Sequence, residues 1–126
     1  MAVLGLGMDV CSIERIRKIL AGPNGQRFVS RVYTGPEQAL CSARADSAPS
    51  YAARFAAKEA LVKALGAPPG IRWRDMEVTR GAGAPSFRLT GVAQAEVARR
   101  GAAVLLALTH DAGVAAATVI IQGDER

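Results

Sequence analysis

Glu59 and Lys63 stand four residues apart in the alanine-rich stretch Arg54-Phe55-Ala56-Ala57-Lys58-Glu59-Ala60-Leu61-Val62-Lys63-Ala64-Leu65-Gly66. On a helix that spacing puts a carboxylate and an ammonium on one face, where the first can hold a divalent cation and the second phosphate oxygens. The same spacing also makes an ordinary solvated ion pair. A further acid, Asp9, follows the apolar run Ala2-Val3-Leu4-Gly5-Leu6-Gly7-Met8. Such a carboxylate can cap a turn, hold a cation or serve as a base. The single histidine, His110, lies between Thr109 and Asp111. Its ring could donate to a phosphate or relay a proton, although a lone histidine in a turn is also an ordinary structural residue. Asp111 ahead of Ala112-Gly113 equally suits a tight turn.

These groups must be positioned by elements that the local patterns specify. Rotation of about 100° per residue gathers Ala57, Leu61, Ala64 and Leu65 on a core side and leaves Glu59 and Lys63 nearly opposite. Ser50 after Pro49 is the expected N-cap, and Gly66 followed by Pro68-Pro69 stops the helix. Residues 2–9 read as a short buried strand that breaks at Gly5 and Gly7 and delivers Asp9 at its end. Ser12 caps a helix with Ile13, Ile16 and Leu20 inward. Thr34-Gly35-Pro36-Glu37 is a capping box that opens a short helix through about Ser42 or Arg44, and residues 46–49 form a loop. Residues 75–79 and 86–90 alternate as a hairpin through Gly81-Ala82-Gly83-Ala84-Pro85. A helix over 92–100 closes at Gly101, and apolar strands over 104–108 and 114–121 flank residues 110–113. Helices and grouped hairpin strands make an α+β domain.

Composition bounds the function. The chain has 126 residues, half of them hydrophobic and only 5% aromatic. That is one domain, residues 1–126, whose core is built from small side chains and would gain from association. No run of 18 apolar residues exists, and Met1-Ala2-Val3-Leu4 lacks a signal-peptide pattern, so the expected location is cytoplasmic with no membrane partner. Cys11 and Cys41 have no metal-ligand spacing and read as packed, reduced thiols. A net charge of +5 asks for an acidic partner. Arg15 and Lys18 share the outer side of one helix, and Arg27 and Arg31 repeat the arrangement beside an exposed-looking Phe28. This is a basic patch with an apolar anchor, or else two solvated amphipathic helices.

Gly5-Leu6-Gly7-Met8-Asp9, with Ile13 and Arg15, resembles the first motif of the holo-acyl-carrier-protein synthases, which are 4'-phosphopantetheinyl transferases. Residues 55–66 resemble their second motif, and the likeness continues through Thr109-His110 to a closing strand over 115–121. The resemblance implies an antiparallel sheet packed with helices in a single domain, assembled as a homotrimer with active sites at subunit interfaces. It implies transfer of 4'-phosphopantetheine from coenzyme A to a serine of an apo acyl carrier protein, releasing adenosine 3',5'-bisphosphate. Magnesium is the implied cofactor, held by Asp9 and Glu59, with Lys63 and, at the core edge, Lys58 contributing charge to the phosphates. Arg54, Gly66, Pro85, Thr109 and His110 match coenzyme A contacts. Ala84 stands where a lysine often precedes that proline, which puts any such lysine contact in doubt. Arg15, Lys18, Arg27, Phe28 and Arg31 would face the acidic carrier. The base that takes the serine proton stays open among a metal-bound water, Asp9, Glu59 and His110.

Two other classes compete. A basic nucleic-acid-binding module would need aromatic residues interleaved with cations, and Trp73, Tyr33 and Tyr51 are a thin supply. A noncatalytic relative would bind coenzyme A or a carrier without transfer, yet Asp9, Lys58, Glu59 and Lys63 are all present.

Overall fold

The computed structural model describes residues 1–124. The chain runs β1 (Ala2–Ser12), α1 (Ile13–Ala21), α2 (Gly25–Val32), α3 (Gly35–Ser42), α4 (Ala48–Ala64), a 3-10 turn (Trp73–Asp75), β2 (Met76–Thr79), β3 (Ser86–Leu89), α5 (Gly91–Arg99), β4 (Ala102–Asp111) and β5 (Val114–Gly123). Strands β1, β5 and β4 form an antiparallel sheet in that order, and β2 with β3 forms a separate hairpin. This is the expected α+β arrangement. No helix among the described residues is long and apolar enough to cross a membrane.

The glycines of β1 do not break it. The strand continues to Ser12, and its register shifts only between Val3 and Gly5. Gly5 and Gly7 instead let the strand lie on the backbone of α4. A Cβ on Gly7 would come within 1.9 Å of the Ala60 carbonyl oxygen, and one on Gly5 within 2.4 Å of that of Ala64. Asp9 is therefore a mid-strand residue opposite Ala117, locked by the ladder rather than hanging in a turn. Nor is the strand buried on both faces: Val3, Leu6, Met8 and Val10 are 59–65% exposed, and Leu105 and Val114 extend this apolar face across the sheet.

Helix α4 is enclosed nearly all round, which departs from the two-faced helix expected. Ala52, Ala56, Ala57, Ala60 and Leu61 are fully buried, because alanine side chains let strands and other helices approach closely. The helix also begins before Ser50. Asp46 Oδ1 accepts the Ala48 N–H at 3.3 Å, and Pro49 in the first turn has no donor to satisfy, so Ser50 lies inside the helix. Its other end is as expected: the Gly66 N–H donates to the Lys63 carbonyl and the Ala67 N–H to that of Val62, a Schellman closure with Gly66 at φ +78°.

Ser12 caps α1 by accepting the Arg15 N–H at 3.2 Å, and Thr34 and Glu37 form the reciprocal capping box of α3. The last hairpin is longer than the apolar run suggested. Its strands extend through Asp111 and from Val114, joined by Ala112-Gly113, both at positive φ. Two left-handed residues match the twist of a two-residue hairpin, so His110 belongs to β4 and not to the turn.

Candidate active site

The ladder of β1 and the exposed strip of α4 bring three of the expected residues together. Lys63 Nζ donates to Asp9 Oδ1 at 3.0 Å and to the Met8 carbonyl at 3.1 Å. Lys63 pairs with Asp9 across the helix–strand contact, and no Glu59–Lys63 ion pair forms. Glu59 is half-buried one turn before Lys63. Its burial, then the charge of Asp9, raise its pKa, while Lys63 and Arg15 pull it back. Asp9 and Glu59 thus act on each other as like charges. The same two carboxylates, after burial, raise the Cys11 thiol, so Cys11 lies in the same electrostatic neighbourhood.

Two mutually repelling carboxylates beside a lysine fit a magnesium ion, which takes one or two protein carboxylates and completes its shell with waters and phosphate oxygens. Among the described residues no group of three or more histidines, cysteines or acids gathers. Beside Glu59 runs a slot of about 290 Å³ lined by Val62, Ile71, Trp73 and Met76.

Lys58 is not in this cluster. It is fully buried, with Nζ 2.7 Å from Glu37 Oε1 and 3.0 Å from the Trp73 carbonyl. Glu37 also accepts the N–H groups of Thr34 and Val78, so the capping-box acid and Lys58 clamp α3, α4 and β2 together. Burial lowers the pKa of Lys58, and the Glu37 charge works against that. The expected contribution of Lys58 to phosphate binding is corrected: its ammonium is fully buried and held by Glu37 and the Trp73 carbonyl, away from the surface.

Arg54 and His110 meet elsewhere, in a groove of about 290 Å³ lined also by Arg44, Asp46, Ser50, Ala53 and Arg80. Thr109 joins His110, Arg80 and Ala53 along the adjoining surface. Arg54 is buried, its Nη1 donating to the Ser50 carbonyl at 3.4 Å, while its Nε has no partner. Arg54 and Lys63 are nine residues apart, about half a turn of rotation, so groove and carboxylates lie on different sides of α4. Gly66 and Pro85 line neither. Gly66 closes the far end of α4 and Pro85 sits half-buried before β3.

Of the basic patch, Arg15, Lys18, Arg27 and Arg31 are exposed. Phe28 is not a free anchor. Its ring packs 5.8 Å from both Tyr33 and Phe55, and Phe55 stacks on Trp73 at 5.3 Å. Tyr33 and Tyr51 are buried, whereas Trp73 is half-buried against Phe55. Both cysteines are free and buried, and burial pushes the Cys41 thiol up to about 11. Sequence reading missed Arg44 and Arg80. Neither sits in a motif, and only the groove brings them to Arg54 and His110.

Comparison with known proteins agrees with this architecture. The model of the 4'-phosphopantetheinyl transferase superfamily matches residues 5–117. A holo-[acyl-carrier-protein] synthase of Myxococcus xanthus is 64% identical over 122 residues, 97% of each chain. The crystal structure of holo-[acyl-carrier-protein] synthase from Neisseria meningitidis superposes with a TM-score of 0.82 at 29% identity, covering 97% of this chain and all of that one. The Helicobacter pylori holo-[acyl-carrier-protein] synthase in complex with coenzyme A gives 0.79 at 29% identity, covering 93% of this chain and 99% of that one. With both motifs standing on the strand–helix pair that carries Asp9, Glu59 and Lys63, this chain belongs to the 4'-phosphopantetheinyl transferase superfamily.

Proposed function

We propose that the protein is a cytoplasmic holo-acyl-carrier-protein synthase. It moves 4'-phosphopantetheine from coenzyme A to a serine of an apo carrier and releases adenosine 3',5'-bisphosphate. The observation that carries this reading is the convergence of Asp9, Glu59 and Lys63 across the β1–α4 contact. The serine oxygen attacks the diphosphate phosphorus nearer the pantetheine, the bond to the bridging oxygen breaks, and charge and alignment dominate the barrier. Asp9 and Glu59 would hold a magnesium ion, whose charge offsets that of the diphosphate. Lys63 exchanges its bond to Asp9 for the phosphate oxygens. Glu59, whose pKa burial and the charge of Asp9 raise from its ordinary value, would take the serine proton directly or through one water.

The nucleotide end of coenzyme A belongs in the Arg44, Arg54, Arg80 and His110 groove, whose positive charge suits a phosphate and whose Arg54 Nε lacks a partner. That groove lies on a different side of α4 from Asp9. In this reading neighbouring subunits contribute the two halves of one site, and Gly66 and Pro85 complete it across the interface. The apolar outer face of Val3, Leu6, Met8, Val10, Leu105 and Val114 supports a homotrimer packed there. Arg15, Lys18, Arg27 and Arg31 receive an acidic carrier.

The test mixes purified protein, coenzyme A, magnesium and apo carrier and weighs the carrier by mass spectrometry. The expected result is a carrier heavier by one phosphopantetheine, dependent on magnesium and lost in Glu59→Gln. An unmodified carrier across a panel of carriers would favour a noncatalytic binding role. Light scattering tests the trimer.

A further inference from the structure

A cleft larger than the groove and the slot lies apart from the Asp9, Glu59 and Lys63 cluster and shares Arg31 with the basic strip of α2. It encloses about 590 Å³ between the C-terminal end of α2 and the 3-10 turn, lined by Arg31, Thr34, Ile71, Arg72, Trp73, Arg74 and Asp75. Arg31, Arg72 and Arg74 are exposed, and none of them makes a salt bridge or side-chain hydrogen bond within the described residues. The acid among the lining residues, Asp75, is engaged by its neighbours. Asp75 Oδ1 accepts the Thr90 hydroxyl at 3.3 Å, and its carboxylate fills the space that a side chain on Gly91 would take. Three guanidinium groups without an ion-pair partner therefore line one cleft, while its acid Asp75 is bonded to Thr90 and Glu77 to Thr34, an arrangement that can recognise carboxylates of a partner.

We propose that this cleft is a second docking site for the acyl carrier protein, receiving acidic side chains apart from those that meet Arg15 and Lys18. The proposal rests on the carrier being the substrate. Two features tie the cleft to that partner. Arg31 belongs both to the basic strip of α2, one turn after Arg27, and to the cleft. Ile71 and Trp73 line both the cleft and the slot beside Glu59, so the two adjoin across these side chains. A carrier whose serine reaches Glu59 along this slot lays its flanking acidic residues over Arg72 and Arg74. The geometry makes these arginines specificity determinants: they select carriers with acid on that flank and leave coenzyme A untouched.

The experiment measures steady-state transfer with Arg72→Glu/Arg74→Glu and Arg72→Ala/Arg74→Ala at low and high salt. Charge reversal should raise KM for the carrier about tenfold at low salt, the alanine pair about threefold, with KM for coenzyme A within twofold of wild type. The gap should shrink in 0.5 M salt. Lys or Arg placed at the matching acidic carrier position should restore the charge-reversed enzyme. Circular dichroism melting checks that both variants fold, which exposed arginines permit. Wild-type transfer is the gate between two failures: no transfer by wild type overturns the enzymatic reading, whereas wild-type transfer with unchanged carrier KM in both variants overturns the second docking site alone.

Discussion

Gly7→Ala tests whether the close approach of β1 to α4 sets the active site. The added Cβ would meet the Ala60 carbonyl oxygen at 1.9 Å, and the Ala60 carbonyl carbon and the Ala64 nitrogen at 2.9 Å. All three are backbone atoms of a buried helix and cannot swing aside. An ordinary contact needs about 3.4 Å, so strand and helix must part by about 1.5 Å at that point. Overpacking a core costs about 1–3 kcal/mol, and a rigid backbone opponent puts this site near the upper end. A domain stabilised by about 5–15 kcal/mol still folds, with its urea midpoint lowered by about 1–2 M. Function suffers more than stability. Asp9 is two residues from Gly7, and a shift above about 1 Å between reacting groups can cost about a hundredfold in rate. The assay pairs urea unfolding with calorimetric titration of magnesium or manganese and the carrier mass shift. Gly81→Ala is the control, since nothing lies within 4 Å of its Cβ and its φ is ordinary. If Gly7→Ala unfolds within about 0.5 kcal/mol of wild type and binds metal equally well, the close approach does not position the carboxylates and the reasoning fails.

Three further outcomes are expected. Lys58→Met leaves Glu37 charged and buried, which should cost about 3–5 kcal/mol. Glu37→Gln/Lys58→Met together should cost less than the sum of the singles, whereas a stable Lys58→Met that no longer transfers would return Lys58 to the phosphates. Lys63→Met removes a charge that lowers the Glu59 pKa, so the acid limb of manganese binding should move to higher pH; an unmoved limb would separate Lys63 from Glu59. The Arg17 guanidinium holds the Asp46 carboxyl below its ordinary range. Its contribution is present above the ordinary carboxyl pKa and lost as pH falls through the folded value. Asp46→Asn should therefore melt earlier than wild type at neutral pH, with the difference shrinking as pH falls below about 4.

Much of the frame was legible residue by residue. Ser12, the Thr34/Glu37 box and Gly66 act through hydrogen bonds to neighbours three or four residues away, so local spacing suffices to find them. The two motifs named the superfamily for the same reason, because the residues that carry them lie close together in the chain. Other features depended on what packs against what. Lys58 and Glu59 are adjacent, yet one turns into the core to meet Glu37, 21 positions earlier, and the other toward Asp9. No periodicity marks that difference. Gly5 and Gly7 looked like strand breakers because glycine weakens an isolated strand, and only the helix lying on them reveals a close-approach surface. Phe28 looked free until Tyr33 and Phe55 were brought to it.

The sequence by itself determined most of the elements, the caps of α1 and α3 and the types of side chain in the candidate site, since these follow from side-chain chemistry and short-range hydrogen bonding. Only the tertiary structure decided which charges are spent inside and which remain free to meet a substrate. Burial and pairing across 21 or 54 positions are set by the packing of α4 against β1 and α3, a property no local window contains.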